Sequence, residues 1–261
     1  MNRPYLYIFS ALMGIMMLVP SKAIAQNDSD VSLSSAEADS LYIQGDYLTA
    51  ISIYEGILEN AGVSASVYMN LGNAYFKIDE IAKAILCYER AYLLDPSDDD
   101  IRFNLELART RTVDKVSLRN RLFIGVFFEN MANLMNVNQW AVMTVVLFIM
   151  AIALACMFVL TRKLLMKKIS FYAGIILFVF SVFSFVFASG QKGKLENRNT
   201  AVIMEPSVTV KSTPSKSGTD LFIIHEGHKV NVLDKSMKEW VQIELEDGNS
   251  GWIQFKSIEI I

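Results

Sequence analysis

Few residues in this chain could carry covalent chemistry. Its 261 residues include two histidines and two cysteines. His225 and His228 stand three apart with Glu226 between them, a grouping that could offer a metal two imidazoles and a carboxylate. No further ligand follows in the sequence, so the pair makes a weak metal site and both histidines are read as surface residues. No nearby serine or cysteine completes a nucleophilic triad with them. The chain also lacks a Gly-rich phosphate loop, an HExxH pair and a Gly-x-Ser-x-Gly elbow. Cys87 and Cys156 lie in segments of different character, which excludes a disulfide framework and a Cys-based metal site. The acidic cluster Asp95 to Asp100 has a structural use. Asp95-Pro96 stops a helix, and Ser97-Asp-Asp-Asp100 caps the next one and charges its first turn. The residues point to recognition, with no enzyme activity, cofactor or resident metal expected.

The elements that would position a recognition surface are arranged around two apolar runs. Ala141 to Leu160 and Ile169 to Ser189 are uncharged, and each has the roughly 20 residues that a helix needs to cross a bilayer core. Neither has the polar stripe of a helix packed in a soluble core. The intervening stretch 161–168 carries Arg162, Lys163, Lys167 and Lys168. Lys and Arg at span ends stay cytoplasmic, so a two-helix hairpin with a cytoplasmic basic loop is expected, with both flanking regions on the exported side. Lys192, Lys194 and Arg198, more dispersed, weigh slightly the other way. Residues 1–25 agree with export: Arg3, an apolar run from Tyr5 to Val19, and Ala23-Ile-Ala25 read as a signal peptide.

Charge is segregated along the chain. Residues 26–120 hold 16 acidic against 8 basic residues, whereas 121–199 hold 2 against 8. The soluble parts therefore lack the basic face that nucleic-acid binding requires.

Residues 31–111 repeat with a period of 34, inside a helical domain expected over 31–120. Ala50-Ile-Ser-Ile-Tyr54 returns as Ala84-Ile-Leu-Cys-Tyr88, and Asn70-Leu71 returns as Asn104-Leu105. The fullest unit has Tyr68, Leu71-Gly72, Tyr75, Ala84, Tyr88, Ala91 and Pro96, which resembles the tetratricopeptide repeat. The resemblance implies two helical hairpins, with Gly72 and Ala84 at a close helix crossing, plus a capping helix from Ile101 to Arg111. It places Cys87 at a packing position, where burial makes a thiol inert. So short an array needs a neighbour to cover its apolar end, either a partner protein or the segment 121–139. The concave face of such arrays binds proteins, which nominates Asn70, Asn73, Lys77 and Asn104 as protein-binding residues. The alternative is that these are ordinary solvated polar positions.

Residues 121–140 are apolar but broken by Glu129 and several asparagines. They read as an interfacial or linker helix, with Trp140 anchoring the start of the first span. Ala151 and Ala155 in the first span, and Gly174, Ser181 and Ala188 in the second, supply small residues for close packing, against each other or against another membrane protein.

From residue 200 to 261 the pattern changes to short strands and turns. Val210 with Pro214, Glu226-Gly227, Val230 to Leu233, Trp240 to Ile243 and Asp247 to Ile253 resemble the bacterial SH3-like domain. The resemblance implies a small all-β barrel, with Trp252 and part of Trp240 in its core, that binds proteins or peptidoglycan.

The order of parts resembles the BatE-type proteins of the Bacteroides aerotolerance system. That resemblance implies a multidomain inner-membrane protein of the Bacteroidota. It also implies a complex with von Willebrand factor A-domain Bat proteins and a MoxR-type ATPase, and a role in tolerance of oxygen or envelope stress.

Overall fold

The computed structural model describes residues 27–114 and 123–261. The expected signal peptide, residues 1–25, lies outside the described residues. The protein combines a helical-repeat layer, a two-helix apolar hairpin and an antiparallel β barrel, as the residue patterns predict.

The repeat layer is built from α1 (Asn27–Gln44), α2 (Tyr47–Asn60), α3 (Ala65–Lys77), α4 (Ile81–Leu94) and α5 (Asp99–Arg109). The turn between α1 and α2 passes through Gly45 at φ +85°, and the Asp46 carboxylate then accepts a hydrogen bond from the Thr49 N–H to cap α2. Asp98 caps α5 in the same way, accepting from the backbone of Asp100 and Ile101, with Asp99 and Asp100 in the first turn. Gly72 is required by a close crossing: a Cβ there would lie 2.7 Å from the ring of Tyr88. Ala38, Ala50, Ala74, Ala84 and Ala91 are fully buried along the same seams. The core between the hairpins is filled by Tyr54, Leu71, Ile85 and Tyr88.

After α5, helix α6 (Phe123–Ala132) has no buried residue. A capping box at Asn136 and Gln139 opens α7 (Val137–Leu160), which packs against α8 (Leu164–Glu196). Of the stretch 161–168, only residues 161–163 lie between the two helices, and Lys167 and Lys168 sit near the start of α8. Both helices are long and apolar enough to cross a membrane, and only 6% and 11% of their most apolar stretches is buried, unlike the core helix of a soluble protein. Three of the small residues, Ala151, Gly174 and Ser181, serve the hairpin itself. A Cβ on Gly174 would lie 3.6 Å from that of Leu154, Ala151 is buried, and the buried Ser181 hydroxyl donates to the Thr144 carbonyl at 3.0 Å. Ala155 faces outward.

The barrel contains β1 (Thr200–Ile203), β2 (Ser207–Lys211), β3 (Asp220–His225), β4 (Lys229–Asp234), β5 (Trp240–Glu244), β6 (Ser250–Gln254) and β7 (Ile258–Ile260). Its strand order is β3-β2-β6-β5-β4-β1-β7, and the pairings are antiparallel. Alternate residues Val208 and Val210, Val230 and Val232, and Val241 and Ile243 point into one core. Two expectations need correcting. Trp252 is only partly buried, because Gly251 and Ile253 take the inward face of β6 and the period of two turns Trp252 to the other side. His228 is buried, because the turn carrying it is pressed against the repeats.

Candidate functional site

The polar side chains of the repeats form two ladders with the sequence period. In the first, the Tyr54 hydroxyl and the Asn70 amide both donate to Asp39 Oδ1, at 2.5 and 3.0 Å. One repeat later, the Tyr88 hydroxyl and the Asn104 amide both donate to Asn73 Oδ1, at 2.7 and 3.2 Å. Each rung ties the second helix of a hairpin to two successive first helices. Burial raises the Tyr54 and Tyr88 phenols above their ordinary range, and the Asp39 carboxylate adds to this at Tyr54, so both remain protonated donors.

This geometry specifies what the nominated residues do within the fold. Asn70, Asn73 and Asn104 are part-buried members of the ladder. Lys77 is exposed at the end of α3. Asp39, Tyr42, Ile43, Tyr54, Asn70 and Asn73 line a groove of about 300 Å³, in which Ile43 stands 83% exposed. The groove therefore has an apolar lip and a polar floor, a surface suited to an extended peptide with alternating side chains.

The second ladder ends at the barrel. The Tyr75 hydroxyl donates to Glu55 across one repeat boundary, and Arg109 donates to Glu89 at 2.5 Å at the position 34 residues on. Lys229 of β4 adds a second contact to Glu89 at 2.6 Å. Glu89 is buried, and burial alone would raise its carboxyl. Lys229 and Arg109 outweigh that and hold it below the usual carboxylate range.

Further contacts fasten the same face. Asp114, just past α5, accepts the His225 backbone N–H at 2.7 Å and pairs with His225 Nδ1 at 2.9 Å. Burial opposes ionisation of Asp114, but the two bonds from His225 keep its carboxyl low. Arg90 donates to Glu259 and to the Ile260 carbonyl, at 2.9 and 2.7 Å. Gly227, at φ +79°, packs so close to Thr112 and Ile85 that a Cβ would lie 2.7 and 3.0 Å from them. Strand β1 is buried on both faces, with Ala201 and Ile203 in the barrel core and Val202, beside Ile261, in the repeat core. The barrel thus covers part of the repeat array, and the neighbour that so short an array needs comes from the same chain.

Sequence reading missed this junction. The recurrence of Glu55 as Glu89 was visible one residue beyond the matched segments, but nothing in the sequence paired Glu89 with Lys229. Cys87 is buried, and burial pushes its thiol up to about 12, so it does not serve as a nucleophile at neutral pH. Among the described residues, no group of three or more His, Cys, Asp or Glu could hold a metal.

Two family models match the chain. One, for the tetratricopeptide repeat, matches residues 65–98, and the other, for the bacterial SH3 domain, matches residues 206–257. No curated protein matches the chain. The protein thus joins a helical region similar to protein-interaction repeats with a barrel similar to bacterial SH3 domains. Both are typically binding modules rather than catalysts.

Proposed function

We propose that the chain is a membrane-anchored scaffold that gathers partner proteins on the exported side of the inner membrane. The membrane complex would be of the Bat type, with von Willebrand factor A-domain proteins and a MoxR-type ATPase among its members, acting in oxygen tolerance or envelope stress. The observation that carries this reading is the junction at Glu89, which makes two binding modules one unit on a single hairpin anchor. The basic residues at the hairpin tip support the orientation. Lys163 sits at the N-cap of α8 and Lys167 in its early turns, where positive charge opposes the helix dipole. Helix stability does not favour them there, whereas retention in the cytoplasm does.

Affinity capture of the intact chain from solubilised membranes tests the scaffold. Von Willebrand factor A-domain partners should be recovered with the native chain and lost with Ile43→Asp at the groove lip combined with Lys77→Glu at the exposed end of α3, changes that spare the ladders. Undiminished recovery with that variant would rule out the repeats as the docking surface.

A second reading has its own observation. Strand β3 is an edge of the sheet and exposes Leu221 and Ile223, a face open to cell-wall peptide. Co-sedimentation of the detergent-solubilised chain with wall sacculi, lost in Leu221→Ser with Ile223→Ser, would support peptidoglycan binding. No co-sedimentation of the native chain would exclude it.

A further inference from the structure

Helix α6 stands almost clear of the rest of the protein. Of its ten residues, only Glu129 and Ala132 are partly covered, and Phe123 is 82% exposed. With about 100° between successive residues, Phe123, Ile124, Phe127, Phe128 and Met131 share an arc of about 140°. Glu129 lies on the opposite side, where it meets Lys194 of α8 at 3.4 Å. A helix this short is marginal in water without packing, and an uncharged apolar face of this kind marks a surface made to be covered.

The level of α6 is set by its last residue. The Ala132 carbonyl accepts the Trp140 indole N–H at 2.7 Å and the Gln191 amide at 2.6 Å. Gln191 follows the uncharged run of α8 by two residues, and Trp140 immediately precedes that of α7. Helix α6 therefore ends where both spans leave the apolar layer, the depth at which Trp side chains sit in a bilayer. It adjoins the exposed apolar surfaces of α7 and α8. The turn that follows is tied to the repeats: Asn133 donates to the Tyr92 hydroxyl at 2.9 Å, and Asn136 donates to Asp95 at 3.4 Å.

We infer that α6 lies in the bilayer leaflet next to the repeats, with its aromatic arc at the boundary between headgroups and acyl chains. The occupant of the face is lipid. A face about 15 Å long and about 10 Å wide falls well short of the roughly 800 Å² per partner in a standard protein interface, whereas a bilayer sets no such minimum. Through Asn133 and Asn136, this second attachment holds the repeats beside the membrane instead of leaving them to swing on the hairpin. The inference rests on α7 and α8 crossing the bilayer, and its test reads the two separately.

The whole chain, with Cys156 replaced by serine and Cys87 left buried, is given one cysteine at a time and labelled with bimane. It is then reconstituted into phosphatidylcholine vesicles with or without brominated acyl chains, whose bromine quenches a bimane only on contact. Ile124→Cys and Phe127→Cys should lose emission in the brominated vesicles. Gly125→Cys, about 160° around the helix from Phe127 and with nothing within 4 Å of an added Cβ, should keep it. Ile149→Cys, exposed near the middle of α7, should also be quenched and reports the span itself. Quenching at Ile149 alone, or equal quenching at positions 124, 125 and 127, overturns the docking of α6 and leaves the anchor intact. No quenching at Ile149 overturns the span and the inference together. Unlabelled Phe127→Cys chains that cross-link to one another on oxidation, with the labelled form unquenched, assign the face to a second copy and overturn the lipid surface.

Discussion

Glu89 concentrates the energetics of the protein on one side chain. Removing both of its partners, Arg109→Met with Lys229→Met, leaves a buried carboxylate without compensation and should cost about 3–5 kcal/mol of stability in denaturant titration. Glu89→Gln should cost less, because Arg109 and Lys229 keep about 30% and 28% of their side-chain surface exposed and can turn to water. The pH dependence follows from the same groups. Glu89 and Asp114 ionise more readily folded than unfolded, so their contribution is full above the ordinary carboxylate range and is lost as pH falls through it. Burial lowers His228 from its ordinary 6.5, so the folded state resists its protonation. Stability should therefore begin to fall already below that pH, and thermal unfolding of His228→Gln should lack this upper part of the slope.

At the scale of elements, close crossings separate tolerant positions from intolerant ones. Gly72→Ala would force a Cβ into the Tyr88 ring and should destabilise by about 1–3 kcal/mol. Gly56→Ala, in the middle of α2 with nothing within 4 Å, should stabilise by about 0.4–1 kcal/mol. The same unfolding measurement on both variants checks the pair. In the hairpin, the 3.6 Å between the Leu154 Cβ and a Cβ on Gly174 suits a disulfide. With Cys87 and Cys156 replaced by serine, Leu154→Cys with Gly174→Cys should cross-link within the chain on oxidation. Ala155→Cys with Gly174→Cys should not, since Ala155 faces outward. Failure of the first pair would show that the small residues meet another partner.

On the scale of the whole molecule, the barrel and the repeats share a core rather than touching through a linker. Val202 and Ile261 are buried among repeat residues, and Arg90 holds the last strand through Glu259 and the Ile260 carbonyl. The two modules should therefore unfold together. Thiol labelling of the buried Cys87, in a chain with Cys156 replaced by serine, reports unfolding of the repeats, and Trp240 and Trp252 fluorescence in a Trp140→Phe background reports the barrel. The two transitions should coincide in the native chain and separate in Arg90→Ala with Lys229→Met. Separate transitions in the native chain would show that the junction does not couple them.

Local pattern was enough to read the modules. The 34-residue period, two uncharged runs of spanning length and the strand alternation after residue 200 are each set by neighbours close in sequence, so they were legible without coordinates. The polar ladders were half legible. The spacing of Asn70 and Asn104 was visible, but not that their amides bridge helices through Asp39 and Asn73, because a rung needs two helices already packed. The union of repeats and barrel was not legible at all. It depends on Glu89 meeting Lys229, 140 residues away, and on β1 burying both faces, and such non-local pairings exist only once the chain has closed on itself.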